Sequence, residues 1–295
     1  MKITLSDVAF SYGKRRGNRP PAGAPLLENI SLTVEQGEML ALAGKSGSGK
    51  STLLQLIKGF IVPCAGQIRL DGLNPHAERR RECFDRIGYI FQYPEHQLFA
   101  STVFADIAFG LRHRRLDEAT KQEKVRQAMA AVQLDYDDFR DRSPFELSGG
   151  EKRRVAIAGI VVLEPEVLIL DEPTAGLDLQ SRDALFQLLH RLNREKNLTV
   201  IWVSHQLEEI AQHAARLVFI RNGAIQADGP PATLFADASL RRTCGWQEPP
   251  ALVVGRLLRA AGHPAAGWLS PQRAADAIIR LRGRYPHHEN APREP

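Results

Sequence analysis

Short apolar runs and helix-spaced apolar positions take turns along most of the chain. Ile3, Leu5, Val8 and Phe10 predict a strand within the first twelve residues, with Tyr12 at its end. Residues 30–34 predict a second strand ahead of the Glu35-Gln36-Gly37 turn, and residues 39–43 a third, apolar throughout and therefore buried. Leu53, Leu56, Ile57 and Phe60 then recur at the spacing of one helix face. Short strands are predicted over residues 66–72 and 86–92. From about residue 93 to 166 the pattern is mostly helical, with helices over 118–134 and 148–163. The alternation returns with a strand at 167–170, a helix face at Leu185, Leu188, Leu189 and Leu192, and a strand at 198–203. Such alternation predicts a largely parallel sheet covered on both faces, here interrupted by a helical insertion. After Val218-Phe219-Ile220 and the Arg221-Asn222-Gly223 turn, the core is expected to end near Phe235. Residues 13–21 read as a loop, 251–261 and 271–281 as two further helices, and the Pro- and His-rich end from residue 283 as disordered.

The 295 residues, 43% of them hydrophobic, suffice for one large α/β domain with an appendage, or for two domains. The net charge of +5 is modest. Its densest spots after the first loop, Arg79-Arg80-Arg81 and Arg112-His113-Arg114-Arg115, read as solvated faces or as attraction to an anionic membrane or nucleic acid. Three cysteines without paired spacing argue against a disulfide framework and against zinc, and suit a reducing compartment. No signal-peptide core opens the chain, and no apolar stretch is long enough to cross a bilayer.

The chemistry centres on Gly44-Lys45-Ser46-Gly47-Ser48-Gly49-Lys50-Ser51, which fits G-x-x-x-x-G-K-[ST], the phosphate-binding P-loop. It runs from a predicted strand into a predicted helix. Glycines let the backbone N–H groups turn inward, and the helix start adds roughly half a positive charge. Lys50 can reach the β- and γ-phosphates and Ser51 can ligate Mg²⁺, whereas Thr52 has the pattern of ordinary helix. Further on, an apolar strand ends in Asp171-Glu172. Adjacent strand residues point to opposite faces, so Asp171 can face the P-loop and hold Mg²⁺ while Glu172 orients and deprotonates a water. Leu147-Ser148-Gly149-Gly150-Glu151 opens another helix. Ser148 is a natural N-cap there, and the glycines leave N–H groups bare for a second anion. The two anion sites belong together either within one fold or across subunits.

In order and spacing these motifs resemble the ATP-binding subunits of ABC transporters over roughly residues 1–235. The P-loop stands as Walker A, Leu147–Glu151 as the LSGGQ-type signature with Glu in place of Gln, and Asp171-Glu172 as Walker B with its catalytic glutamate. Gly176-Leu177-Asp178 resembles the D-loop, Val203-Ser204-His205 the switch histidine, Gln92 the Q-loop glutamine, and Tyr12 the aromatic that stacks on adenine. The stretches Phe91-Gln92-Tyr93-Pro94-Glu95-His96-Gln97-Leu98-Phe99 and Arg153-Arg154-Val155-Ala156-Ile157-Ala158-Gly159 are similar to the energy-coupling-factor branch, which drives uptake of vitamins or of cobalt and nickel.

The resemblance implies a P-loop NTPase core of RecA-like α/β type with an antiparallel β subdomain. It adds a helical signature subdomain over about 93–166 and a short helical C-terminal extension over 236–295. It implies ATP and Mg²⁺ as ligands, with nucleotide contacts from Tyr12, Gly44, Ser46, Gly47, Gly49, Lys50, Ser51, Thr52, Ser148, Gly149, Gly150 and Asp178. Mg²⁺ falls to Ser51, Gln92 and Asp171, and catalysis to Glu172, His205, Gln92 and Lys50. It also implies a second ATPase subunit, either another copy of this chain or a related ATPase, paired head to tail, so that Ser148 and Gly150 act in trans. A transmembrane coupling subunit, a substrate-binding membrane subunit and a peripheral position on the cytoplasmic face of the membrane follow in the same way. Leu98 and Phe99 are either anchors for the membrane partner or core residues of the helical insertion. The Glu at 151 is expected to leave the Ser-Gly-Gly donors intact. A conventional ABC importer subunit is the alternative reading, with a non-transport ATPase acting on nucleic acid behind it.

Overall fold

The computed structural model describes residues 1–13, 25–262, 275, 278 and 279. The predicted helix over 271–281, most of the loop over 13–21 and the tail with His287 and His288 lie outside the described residues. In chain order the structure opens with strands β1 (Ile3–Phe10), β2 (Leu27–Val34) and β3 (Met39–Ala43), then helix α1 (Lys50–Lys58). Strands β4 (Ala65–Leu70) and β5 (Ile87–Ile90) follow, then helices α2 (Val103–Ala108), α3 (Glu118–Ala131), α4 (Tyr136–Phe139) and α5 (Gly149–Val161). Strand β6 (Val167–Leu170), helix α6 (Leu179–Lys196) and strand β7 (Thr199–Val203) come next. Helix α7 (Leu207–His213), strands β8 (Arg216–Arg221) and β9 (Ala224–Gly229), and helices α8 (Pro231–Ala236), α9 (Ala238–Cys244) and α10 (Pro250–Ala260) complete the order.

Two sheets result. β1 pairs antiparallel with β2 and with β4, so the strand order is β2-β1-β4. The second sheet has the order β5-β6-β7-β3-β8-β9, and its pairs from β5 to β8 are parallel. Every residue of β3, β5, β6 and β7 is buried, as expected of strands covered on both faces. One core joins the inward residues of the antiparallel sheet, the buried face of α1 and one face of β3, β5, β6 and β7. β9 was not predicted. Asn222 and Gly223 turn with φ of 49° and 75°, the backbone of a tight hairpin, and feed a strand whose AIQADG sequence is too polar to show an apolar run.

One helix end differs from expectation in an informative way. Gly59, at φ 79°, ends α1, so Phe60 leaves the helix face and packs on Tyr89 and Phe91 instead. Leu98 is buried, as a core residue would be, whereas Phe99 is 56% exposed and meets Phe109 edge to face.

The chain falls into two compact units. Met1–His205 with Ala215–Asp228 forms the first, and Gln206–Ala214 with the residues from Gly229 onward the second. Within the second, α7 packs on α8, α8 packs on α9, and Trp246 meets Phe235 edge to face. Among the described residues no helix is long and apolar enough to cross a membrane.

Candidate nucleotide-binding site

Strands β5, β6, β7 and β3 are parallel neighbours, so their C-terminal ends share one edge of the sheet. Ligands of open α/β sheets bind at that edge. Here β3 leads into Gly44–Ser51, β5 into Gln92, β6 into Asp171 and Glu172, and β7 into Ser204 and His205. Topology alone therefore gathers residues scattered across more than 150 positions of sequence.

The loop after β3 is shaped by its glycines. Gly44, Gly47 and Gly49 have φ of 153°, 75° and 102°. A Cβ at Gly44 would collide with the Ile220 carbonyl oxygen, and one at Gly49 with the Leu27 side chain. Both positions thus require glycine for conformation and for space. Lys50 is buried, and its ammonium donates to the carbonyls of Gly44 (2.9 Å) and Lys45 (3.0 Å). Burial lowers its pKa, opposed by the nearby Glu172 and Asp171 carboxylates.

Asp171 faces this loop, as strand alternation predicts. Its Oδ1 accepts from the Ser51 hydroxyl at 3.1 Å and its Oδ2 from the Tyr89 hydroxyl at 3.3 Å. Burial pushes the Asp171 carboxyl up, and those two hydrogen bonds pull the other way. Glu172 sits at φ 50° in the left-handed region without being glycine. Its Oε1 lies 2.7 Å from His205 Nε2, and its Oε2 accepts from the Gln92 amide at 3.1 Å. Ser46, Gly47, Gly49, Lys50, Ser51 and Thr52 line a cavity of about 160 Å³ closed by Leu26, Glu172 and His205. Thr52 is more than helix filler: its hydroxyl is 3.3 Å from the Tyr12 hydroxyl, and the exposed Tyr12 ring meets Phe10 edge to face.

Ser148, Gly149 and Gly150 are not walls of that cavity. Ser148 caps α5 in a reciprocal box with Glu151. The Ser148 N–H and hydroxyl donate to Glu151 Oε2 at 2.8 and 2.7 Å, and the Glu151 N–H donates back to Ser148 Oγ at 3.3 Å. These bonds hold the Glu151 carboxyl below the usual carboxylate range. The expectation that Glu151 leaves all the donors intact is thereby corrected. Both Ser148 donors are engaged, and the open ones at this helix start are the N–H groups of Gly149 and Gly150. Asp178 likewise caps α6, accepting from the Ser181 N–H (2.9 Å) and hydroxyl (2.8 Å), which lowers its pKa.

Sequence reasoning missed Leu26, a wall of the cavity, and Tyr89, which donates to Asp171. Tyr89 reaches the site from β5, whose buried pattern does not mark which face looks at the loop, and Leu26 from the bend just before β2.

The likeness to known proteins agrees with this geometry. Residues 27–175 match the family model described as ABC transporter. The chain is 43% identical over 264 residues to the energy-coupling factor transporter ATP-binding protein EcfA2 of Clostridium tetani, spanning 89% of this chain and 90% of that protein. The chain belongs to the ATP-binding proteins of the ABC transporter family, in the energy-coupling factor group. A second member of the group, EcfA2 of Clostridioides difficile, is 40% identical over 96% of this chain and 99% of its own length. Among solved structures, cbiO1 of Clostridium perfringens, part of the ABC transporter complex cbiONQ, superposes with a TM-score of 0.73 at 30% identity, over 87% of this chain and 98% of that one. The dimeric ATP-binding cassette MJ0796 with ADP and Pi superposes with a TM-score of 0.64 at 25% identity, over 78% and 98%. Energy-coupling factor ATPases are ATP-binding subunits that hydrolyse ATP to drive transport, and this chain is one of them.

Proposed function

We propose that this chain hydrolyses Mg·ATP at a site completed by a second ATPase subunit, and thereby powers a membrane importer for a vitamin or for cobalt or nickel. The observation that carries the reading is the clamp on Glu172. Its two oxygens are held by His205 and Gln92 at the mouth of the P-loop cavity. That leaves the carboxylate facing the place where a terminal phosphate and its attacking water belong.

The inward N–H groups around Ser46, Gly47 and Gly49, with Lys50, grip the β- and γ-phosphates. Tyr12 offers a face for the adenine. Ser51 and Asp171 present a hydroxyl and a carboxylate 3.1 Å apart, an oxygen pair suited to Mg²⁺, which takes one or two protein ligands and fills the rest with water and phosphate. When bound, the ion neutralises charge developing on the phosphates. Gln92 would join it through its amide oxygen, its amide nitrogen being on Glu172. Glu172 takes the proton of the attacking water, and His205 fixes Glu172 and meets the γ-phosphate. Gly149 and Gly150, at a helix start that Ser148 caps, and Asp178 serve the partner's nucleotide; that Ser148 to Gly150 do not line this chain's own cavity supports this reading.

Around Gln92 the exposed Phe91 and Phe99 offer apolar surface to a transmembrane coupling subunit, which carries a substrate-binding membrane subunit. The chain then works as a peripheral protein on the cytoplasmic face of the membrane, and nucleic acid has no place in this scheme.

Complementation tests the shared site. Ser148→Arg and Lys50→Ala variants are each expected to lose ATP hydrolysis in the assembled complex. Mixed, they restore up to one working site per pair. Absence of recovery at every mixing ratio removes a trans arrangement between two copies of this chain.

A further inference from the structure

Arg153 lies one turn into α5 and is buried, with 4% of its side chain exposed. Its Nε and Nη2 donate to the two carboxylate oxygens of Glu95 at 3.1 and 3.0 Å. Nη1 donates to the Pro173 carbonyl at 2.9 Å, and Nη2 also to the Ala175 carbonyl at 3.3 Å. One guanidinium therefore joins three segments. They are the helix that begins at Ser148, the 3-10 turn Pro94–Gln97 just after Gln92, and the loop that leaves Glu172. A planar fork with five donors makes all four of these bonds, one more than the three N–H groups of an ammonium allow. A buried cation so placed is also committed to its partners, because losing one leaves charge uncompensated.

A second observation falls on the same segments. Tyr93, beside Gln92, and Glu172 itself both sit in the left-handed region, at φ 56° and 50°, without glycine. Such backbones persist where the surroundings hold them. Arg153 grips the chain one and three residues beyond Glu172, and Glu95 lies two residues beyond Tyr93. Neither Arg153 nor Glu95 lines the P-loop cavity.

We propose that Arg153 and Glu95 are positioning residues for hydrolysis: the pair holds the Glu172 loop in its working setting and locks it to the Gln92 segment and the Ser148 helix. The inference rests on the hydrolytic reading above. Any displacement of residues 94–97 by a membrane partner then reaches Glu172 through one side chain.

The test uses the full chain assembled with its companion subunits, and compares the parent with Arg153→Lys, Glu95→Gln and the double variant. Arg153→Lys is expected to lower kcat about 10-fold or more while KM for ATP stays within about twofold, because the phosphate grip is untouched. Glu95→Gln lowers kcat less, and the double variant is no worse than Arg153→Lys alone, the non-additivity expected of one network. Equilibrium binding of a non-hydrolysable ATP analogue remains at the parent value in all three. A kcat within twofold of the parent for Arg153→Lys, or independent additive losses, overturns the proposal. So does a parallel loss of ATP affinity, which marks a general loosening of the fold. If Arg153→Lys gives no soluble protein, Glu95→Gln decides by the same split between kcat and KM. A parent complex without turnover would instead remove the hydrolytic reading itself.

Discussion

Glycine in the P-loop is not one requirement but several. Gly49 has its backbone at φ 102° and its open side against Leu27 of β2, whereas Gly47, at φ 75°, has nothing within 4 Å of where a Cβ would stand. Alanine at either position pays for a left-handed backbone, of order 1–2 kcal/mol. At Gly49 it must also displace packed leucine atoms, and overpacking adds about 1–3 kcal/mol. Thermal melts of the nucleotide-free variants are therefore expected to rank parent above Gly47→Ala above Gly49→Ala. Equal melting temperatures for the two variants would contradict the Leu27 contact. The motif marks both residues as glycine, yet nothing in it separates them, because Leu27 is supplied by a strand twenty-two residues upstream. Glu151 carries the same lesson. Ser148 is legible as an N-cap, but only the folded geometry shows that the Glu151 carboxylate takes up both Ser148 donors.

The strands show where an element's ends are fixed by partners rather than by its own sequence. β5 and β6 start in register, Ile87 opposite Val167, and the residues just before them close the pair. Arg86 donates from Nε to one oxygen of Glu166 at 2.6 Å and from Nη2 to the other at 2.7 Å, while Nη2 also reaches Asp71 at 2.7 Å. The Met1 ammonium stands 3.2 Å from Glu166. The Arg86 bonds lead in holding the Glu166 carboxyl below its ordinary value, against a smaller effect of burial. A carboxyl lowered on folding adds stability above its unfolded pKa of about 4.3, and that stability is lost as pH falls through the folded value. Glu166→Gln should accordingly destabilise the nucleotide-free chain at pH 7, and the gap to the parent should close in acid, below about pH 4. Urea unfolding of both at several pH values measures it, and a gap independent of pH would reassign the effect to shape. Strand and helix periods gave the centres of β3, β5, β6, β7, α5 and α6. They did not give β9, α7 or α9, which are short and lack a sustained apolar stripe.

The chain as a whole has two helix starts flanked by glycine that do not line one cavity. The start of α1 belongs to the P-loop cavity with Glu172 and His205, whereas Ser148 to Gly150 lie outside its walls. An N-terminus with bare N–H groups and positive dipole character gains when an anion meets it. On the function proposed above, each ATPase subunit lends its α5 start to the other's nucleotide. Closure then depends on nucleotide remaining intact, since hydrolysis removes the bridging phosphate. Glu172→Gln separates the two steps: it deletes the base, expected to cost about 10²-fold or more in turnover, and leaves the P-loop as it is. With ATP and Mg²⁺ this variant should accumulate with its partner ATPase as a stable pair, measured by light scattering after gel filtration, and with ADP it should not. Adding Ser148→Arg to the same chain should abolish the pair while ATP still binds, because the change lies on the lending surface and not in the cavity. A pair that forms equally with ADP, or that tolerates the arginine, would mean that the α5 start meets something other than a neighbour's nucleotide.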